Sequence, residues 1–146
     1  MAKALGSLLF AAAMLIGSSF AMAAVQTYDS KVAQFTVDVP EGWKSKAISD
    51  GCQIDSADGK NTMSVQFFPP SDKSPLSIAK HVSGAMKMKV TNEKTDGESA
   101  LVEGTAEGDH VSVLVVKGKY LINCAIFGGP DRDAMVKIYS SVKDKR

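Results

Sequence analysis

Residues 111–127 read VSVLVVKGKYLINCAIF, and the placement of their apolar side chains decides the architecture. Gly118 turns the chain between two strands. Any two-residue loop containing it sets Val111, Val113, Val115, Ile122 and Cys124 on one face. Leu114, Val116, Leu121, Ala125 and Phe127 then share the other. A strand that borders water needs only one apolar face. Two apolar faces are tolerated only where something covers each side of the sheet.

The neighbouring sequence supplies the rest of that sheet and its covers. Upstream, Asp96-Gly97 precedes a strand over 100–106, and Glu107-Gly108-Asp109 leads into 111–116, so the region is a meander. Downstream, Gly128-Gly129-Pro130 ends the last strand. A helix is expected from Asp131 to about Lys143 with Met135, Ile138 and Val142 inward. Its acids Asp131 and Asp133 stand at the positive end of the helix dipole, and Lys143, Lys145 and Arg146 near the negative end. An earlier meander begins at Phe35-Thr36-Val37-Asp38-Val39, alternating apolar and polar up to Pro40. Asp50-Gly51 is a two-residue hairpin signal between 43–49 and 52–55, and Asp58-Gly59 turns the chain into a strand over 63–67. Pro69-Pro70 stops that strand because proline cannot donate to a ladder. Ser74-Pro75 reads as an N-cap followed by proline at the first helical position, opening a helix to about Met88 with Leu76, Ala79, Val82 and Met86 in one stripe. The expected fold is α+β: an antiparallel sheet of two meanders with helices packed on both faces, in a single domain over 24–146.

Residues 1–23, MAKALGSLLFAAAMLIGSSFAMA, have the form of an export signal. Lys3 is the positive start, 8–16 the apolar stretch, and Ala21-Met22-Ala23 a small-x-small cleavage site. The alternative is an uncleaved anchor, since no charge intervenes between Lys3 and Asp29. The short apolar core and the site that follows it favour cleavage. The product is expected to be periplasmic or secreted, with no membrane span once the signal is removed. Cys52 and Cys124 are the only cysteines, and in an oxidising compartment an even number reads most simply as a disulfide. Two separately buried thiols are the alternative, because free cysteine packs as a small hydrophobe. No C-x-x-C spacing suggests a redox centre.

The 146 residues carry 17 Lys+Arg and 16 Asp+Glu, so the basic excess of a nucleic-acid binder is missing. Catalytic and metal-binding patterns are missing too. His81 and His110 are the only histidines and show no zinc spacing, which makes them surface or boundary residues. Asp55-Ser56-Ala57-Asp58-Gly59 resembles a calcium loop only superficially: its glycine falls one place early and Ala57 fills a ligand position. The glycine turn 127–131 opens a helix, but Asp131 and Asp133 there would repel a phosphate. No G-x-S-x-G elbow occurs. No catalytic residue, cofactor site or metal site is expected. Lys87, Lys89 and Lys94 make a modest basic cluster, read as a solvated helix end before an anionic envelope partner. Two aromatics are candidate partner contacts. Trp43 stands at a strand entrance, as a core-edge anchor or a recognition residue. Phe68 follows Phe67 and so lies on the opposite sheet face, meeting either a second layer or a partner.

The stretch Phe35-Thr36-Val37-Asp38-Val39-Pro40-Glu41-Gly42-Trp43, continued by 53–68 and the helix from Pro75, resembles the PsbP-like fold family. That family takes in photosystem extrinsic subunits, the Ran-release factor Mog and bacterial envelope proteins of the DcrB type. The resemblance covers most of 24–146 and rests on structural motifs, so it transfers no catalytic residue. It implies an antiparallel sheet with helices on both faces and a role in binding or assembly. The chain departs from the DcrB type in lacking a lipidation cysteine, and its cysteine pair is not a family feature. The expectation is an exported, non-enzymatic binding or assembly protein of the bacterial envelope with a protein partner there. A periplasmic inhibitor of a cell-wall hydrolase or protease is the alternative, as small disulfide-stapled exported domains often serve so.

Overall fold

In the computed structural model two sheets share the work that one was expected to do. The structure describes residues 24–145, and the expected export signal over 1–23 lies outside the described residues. The elements in chain order are β1 Ala24–Asp29, β2 Gln34–Val39, β3 Lys44–Ile48, β4 Gly51–Asp55, β5 Thr62–Phe68, α1 Pro75–Ala85, β6 Lys89–Asp96, β7 Ser99–Ala106, β8 Asp109–Lys117, β9 Ile122–Gly128, α2 Arg132–Ser140 and β10 Lys143–Asp144. The larger sheet has the order β3-β4-β5-β9-β8-β7-β6, every neighbour antiparallel. β1, β2 and β10 form a second, three-stranded sheet.

Alternation along each strand explains why there are two cores. On β4 and β5 the apolar residues Cys52, Ile54, Met63, Val65 and Phe67 face one way, while Gln53, Ser64 and Gln66 face the other. On the apolar side lie Phe35, Val37 and Val39 of β2, with Met135 and Ile138 of α2, completing one buried cluster. β7 and β8 turn Ala100, Val102, Val113 and Val115 to the opposite face, where Leu76, Ala79 and Val82 of α1, with Met86 at its C-terminal cap, meet them. β9 serves both, with Ile122 and Cys124 in the second cluster and Ala125 and Phe127 in the first. The sheet is thus covered on opposite faces at opposite ends, and it is apolar on both faces only at its centre.

This modifies the expected sandwich in a specific way. The strand over 35–39 is not in the main sheet: β2 lies across the face of β4, β5 and β9, so a second sheet supplies most of that cover. The terminal helix stops at Ser140, short of the expected Lys143, because residues 143–144 pair with Thr36 and Phe35. The first helix also ends early. Lys87 adopts φ 57°, Met88 N–H donates to Ser83 C=O and Lys87 N–H to Gly84 C=O, closing the helix with a lysine where glycine is usual.

The expected disulfide is overturned. Cys52 and Cys124 are both free and buried. Cys52 stands level with Val65 and Ala125 across β4, β5 and β9, while Cys124 is the neighbour of Ala125 and projects from the opposite face. With β5 between them their backbones are about 10 Å apart, beyond the reach of roughly 7 Å between Cα atoms that a disulfide allows. Cys52 packs with the first cluster and Cys124 with the second, as the alternative of two separate thiols required.

Candidate functional site

Pro40-Glu41-Gly42 leaves the end of β2 and must drop from the small sheet to the edge of the large one. Gly42 takes φ 87° to make that turn, and Trp43 N–H donates to Pro40 C=O at 3.1 Å. The turn sets Trp43 half-buried against the first cluster, at the point where the two sheets separate. Ala24, Gln26 and Tyr28 pair with Val39, Val37 and Phe35, so these three β1 side chains point toward the large sheet and overhang its β3 edge. Between them and Lys44 and Ser45 of β3 runs a cleft of about 610 Å³ with Trp43 in its wall. The Tyr28 hydroxyl donates to Ser45 Oγ across it.

Two features make this cleft receptive. The indole N–H of Trp43 has no acceptor among the described residues. Among the described residues no strand pairs with the outer edges of β1 and β3 there, so each presents backbone donors and acceptors. On the other side of the same ring a smaller cleft of about 250 Å³ is lined by Ser56, Ala57, Asp58, Asn61 and Asp131. The Asp58 carboxyl is held below its ordinary pKa, first by the Ser56 hydroxyl and then by the Lys60 backbone N–H. Those hydrogen bonds make 55–59 a tight turn, as its sequence suggested. Asn61 Oδ1 accepts from Asp131 N–H at 2.7 Å and fixes the start of α2. Gly129 makes this approach feasible: its φ is 124°, and a Cβ there would sit 2.3 Å from Lys60 O.

A third hollow of about 390 Å³ lies between α2 and the end of β9, over Phe67, Asn123 and Tyr139. Its polar groups are already matched: Tyr139 OH donates to Asn123 Oδ1, and Asn123 Nδ2 to Gln66 C=O at 3.1 Å. Burial also raises the Tyr139 pKa, with Cys124 adding to the effect. A hollow whose donors and acceptors are satisfied internally offers a ligand shape alone.

Trp43 and Phe68 do not form one surface. Phe68 points to the α1 side, partly buried in the second cluster, so it meets the second layer. His81 and His110 are exposed on different elements. Among the described residues no three His, Cys, Asp or Glu side chains gather as a metal site. None of their helices is long and apolar enough to cross a membrane. Sequence reasoning missed one polar cluster. Glu103, in the middle of β7, accepts from Asn92 Nδ2 at 3.1 Å and pairs with Arg132 of α2, with Ser112 Oγ at 3.5 Å. The Asn92 amide, then Arg132, holds its carboxyl below the ordinary value.

No family model and no curated protein matches the sequence. Solved structures do. The solution structure of cyanobacterial PsbP (CyanoP) from Synechocystis aligns over 97% of this chain and 99% of its own, with 16% identity and a TM-score of 0.52. A crystal structure from Bacteroides thetaiotaomicron aligns over 77% of this chain and 45% of its own, with 10% identity and a TM-score of 0.46.

Proposed function

From its PsbP-like fold, we propose that the chain is an exported, non-enzymatic accessory protein of the bacterial envelope that works by binding a protein partner at the Trp43 cleft. The observation that carries the reading is the cleft itself: an indole whose N–H has no acceptor among the described residues, set between two sheet edges that no described strand pairs with. Tryptophan contributes strongly to protein interfaces because it offers a large apolar surface and one donor. Unpaired edges add backbone hydrogen bonding for an extended segment of the partner. The apolar run and small-x-small site within 1–23 support export. The inhibitor alternative leaned on a disulfide-stapled domain and loses that support, since both cysteines are free.

The test is affinity capture from envelope extract with the mature chain, run beside Trp43→Ala and Gln26→Arg forms whose circular dichroism matches the parent. A partner retained in stoichiometric amount by the parent, and lost by both variants, is the expected result. Absence of any reproducible partner, or equal retention by all three, would remove the reading.

A further inference from the structure

We propose that Cys52 and Cys124 form a redox gate on folding: a disulfide between them excludes the native sheet, and the native sheet shelters both thiols from oxidation. Cys52 is held on β4 and Cys124 on β9, with β5 hydrogen-bonded to each. Their side chains leave the sheet from opposite faces and enter different clusters. No rotamer change can join them. Closing the bond requires β4 or β9 to leave β5 and pass a side chain through to the other face, which abolishes the first cluster.

The unfolded chain carries no such constraint. The loop between the two residues is roughly 70 residues long, and closing a flexible loop of that size costs only slowly more than closing a shorter one. Oxidation by a small disulfide such as oxidised glutathione then proceeds in two exchanges. One protein thiolate attacks the small disulfide, forming a mixed disulfide and releasing one small thiol. The second protein thiolate attacks the protein sulfur of that mixed disulfide and releases the other. Two protein thiols are oxidised, one small disulfide is reduced, and the two protons end on the released small thiols.

Folding first closes this route. Cys52 is fully buried and Cys124 is 3% exposed, so no oxidant reaches either sulfur without opening the sheet. Burial also pushes the Cys52 thiol up to about 12 and the Cys124 thiol up to about 11, leaving little thiolate in the folded protein. A chain that folds before it is oxidised is protected, and one oxidised first is locked out until reduced. The gate needs no partner and stands apart from the Trp43 cleft.

The experiment oxidises the mature chain in urea with excess oxidised glutathione, maps the monomer by mass spectrometry, and removes the urea. The expected product is a Cys52–Cys124 monomer that lacks native near-ultraviolet circular dichroism and Trp43 emission, and regains both when dithiothreitol is added. Untreated native protein should keep both thiols over the same exposure. A form carrying both Cys52→Ala and Cys124→Ala has no thiol to oxidise and should refold with or without oxidant. Should that variant fail to fold, reductive rescue of the parent remains decisive. An oxidised monomer that recovers the native spectrum with its bond intact, or an unfolded chain that forms no internal bond, overturns the proposal.

Discussion

Glu103 sits on β7 between Val102, buried under α1, and Gly104, whose Cβ position would fall 2.1 Å from Lys89 O. Its carboxylate accepts from Asn92 and pairs with Arg132, and these keep its folded pKa below that of the unfolded chain. A lowered carboxyl pKa stabilises the fold above the ordinary carboxyl range, and that stability is lost as pH falls through the folded value. Glu103→Gln is therefore expected to lower stability by about 1 kcal/mol at neutral pH, the net worth of a charge-assisted contact beside solvent. The difference should shrink toward zero below about pH 4. Urea denaturation of both forms across that range is the check, and a pH-independent difference would remove the electrostatic explanation. Single residues were the least legible scale. A lone Glu inside an apolar strand is visible in the sequence, but its partners Asn92 and Arg132 come from β6 and α2, which only the tertiary fold brings near. The cysteines failed for the same reason. Parity fixes a side chain's face within its own strand, while the relation of 52 to 124 depends on β5 standing between β4 and β9.

Elements with a clear period were readable. The proline-started α1 and the opposite faces of β8 and β9 appear as the alternation predicts, while the hairpin expected at Asp50-Gly51 forms one residue earlier, with Ser49-Asp50 as its loop and Gly51 paired with Ile48. β6 was missed because Lys89–Asp96 holds one apolar residue in eight, and every residue in it is exposed. Such a charged edge strand has no inward face to reveal it, and its charges discourage pairing with another chain. β1 was missed for a related reason, since only Gln26 and Tyr28 are even partly buried. The offset cover gives a test on adjacent residues of one strand. Leu101 lies on the partly open face of β7 and Val102 on the face closed by α1. Leu101→Asn is expected to cost about 1 kcal/mol or less, as most substitutions near the surface do. Val102→Asn buries an amide with no polar partner and should cost about 3 kcal/mol or more. Comparable thermal shifts for the two would mean that α1 does not close its face.

For the molecule as a whole, the consequence of two offset cores is that β9 cannot be released by opening either one alone. Detaching α1 exposes Ile122 and Cys124 yet leaves Ala125 and Phe127 under β2 and α2; lifting the small sheet does the reverse. The strand is also flanked by β5 and β8 along its whole length, whereas β3 and β6 each have one neighbour. Amides that open only when everything opens report the global free energy, while edge segments exchange through smaller local events. Native-state hydrogen exchange followed by mass spectrometry should therefore rank β9 and β8 slowest, with opening free energies that fall to a common value near the unfolding transition. β6 and β3 should exchange through openings that depend little on urea, because little apolar surface is exposed when they fray. Protection of β6 equal to that of β9 would mean that the edge is covered by something the two cores do not account for.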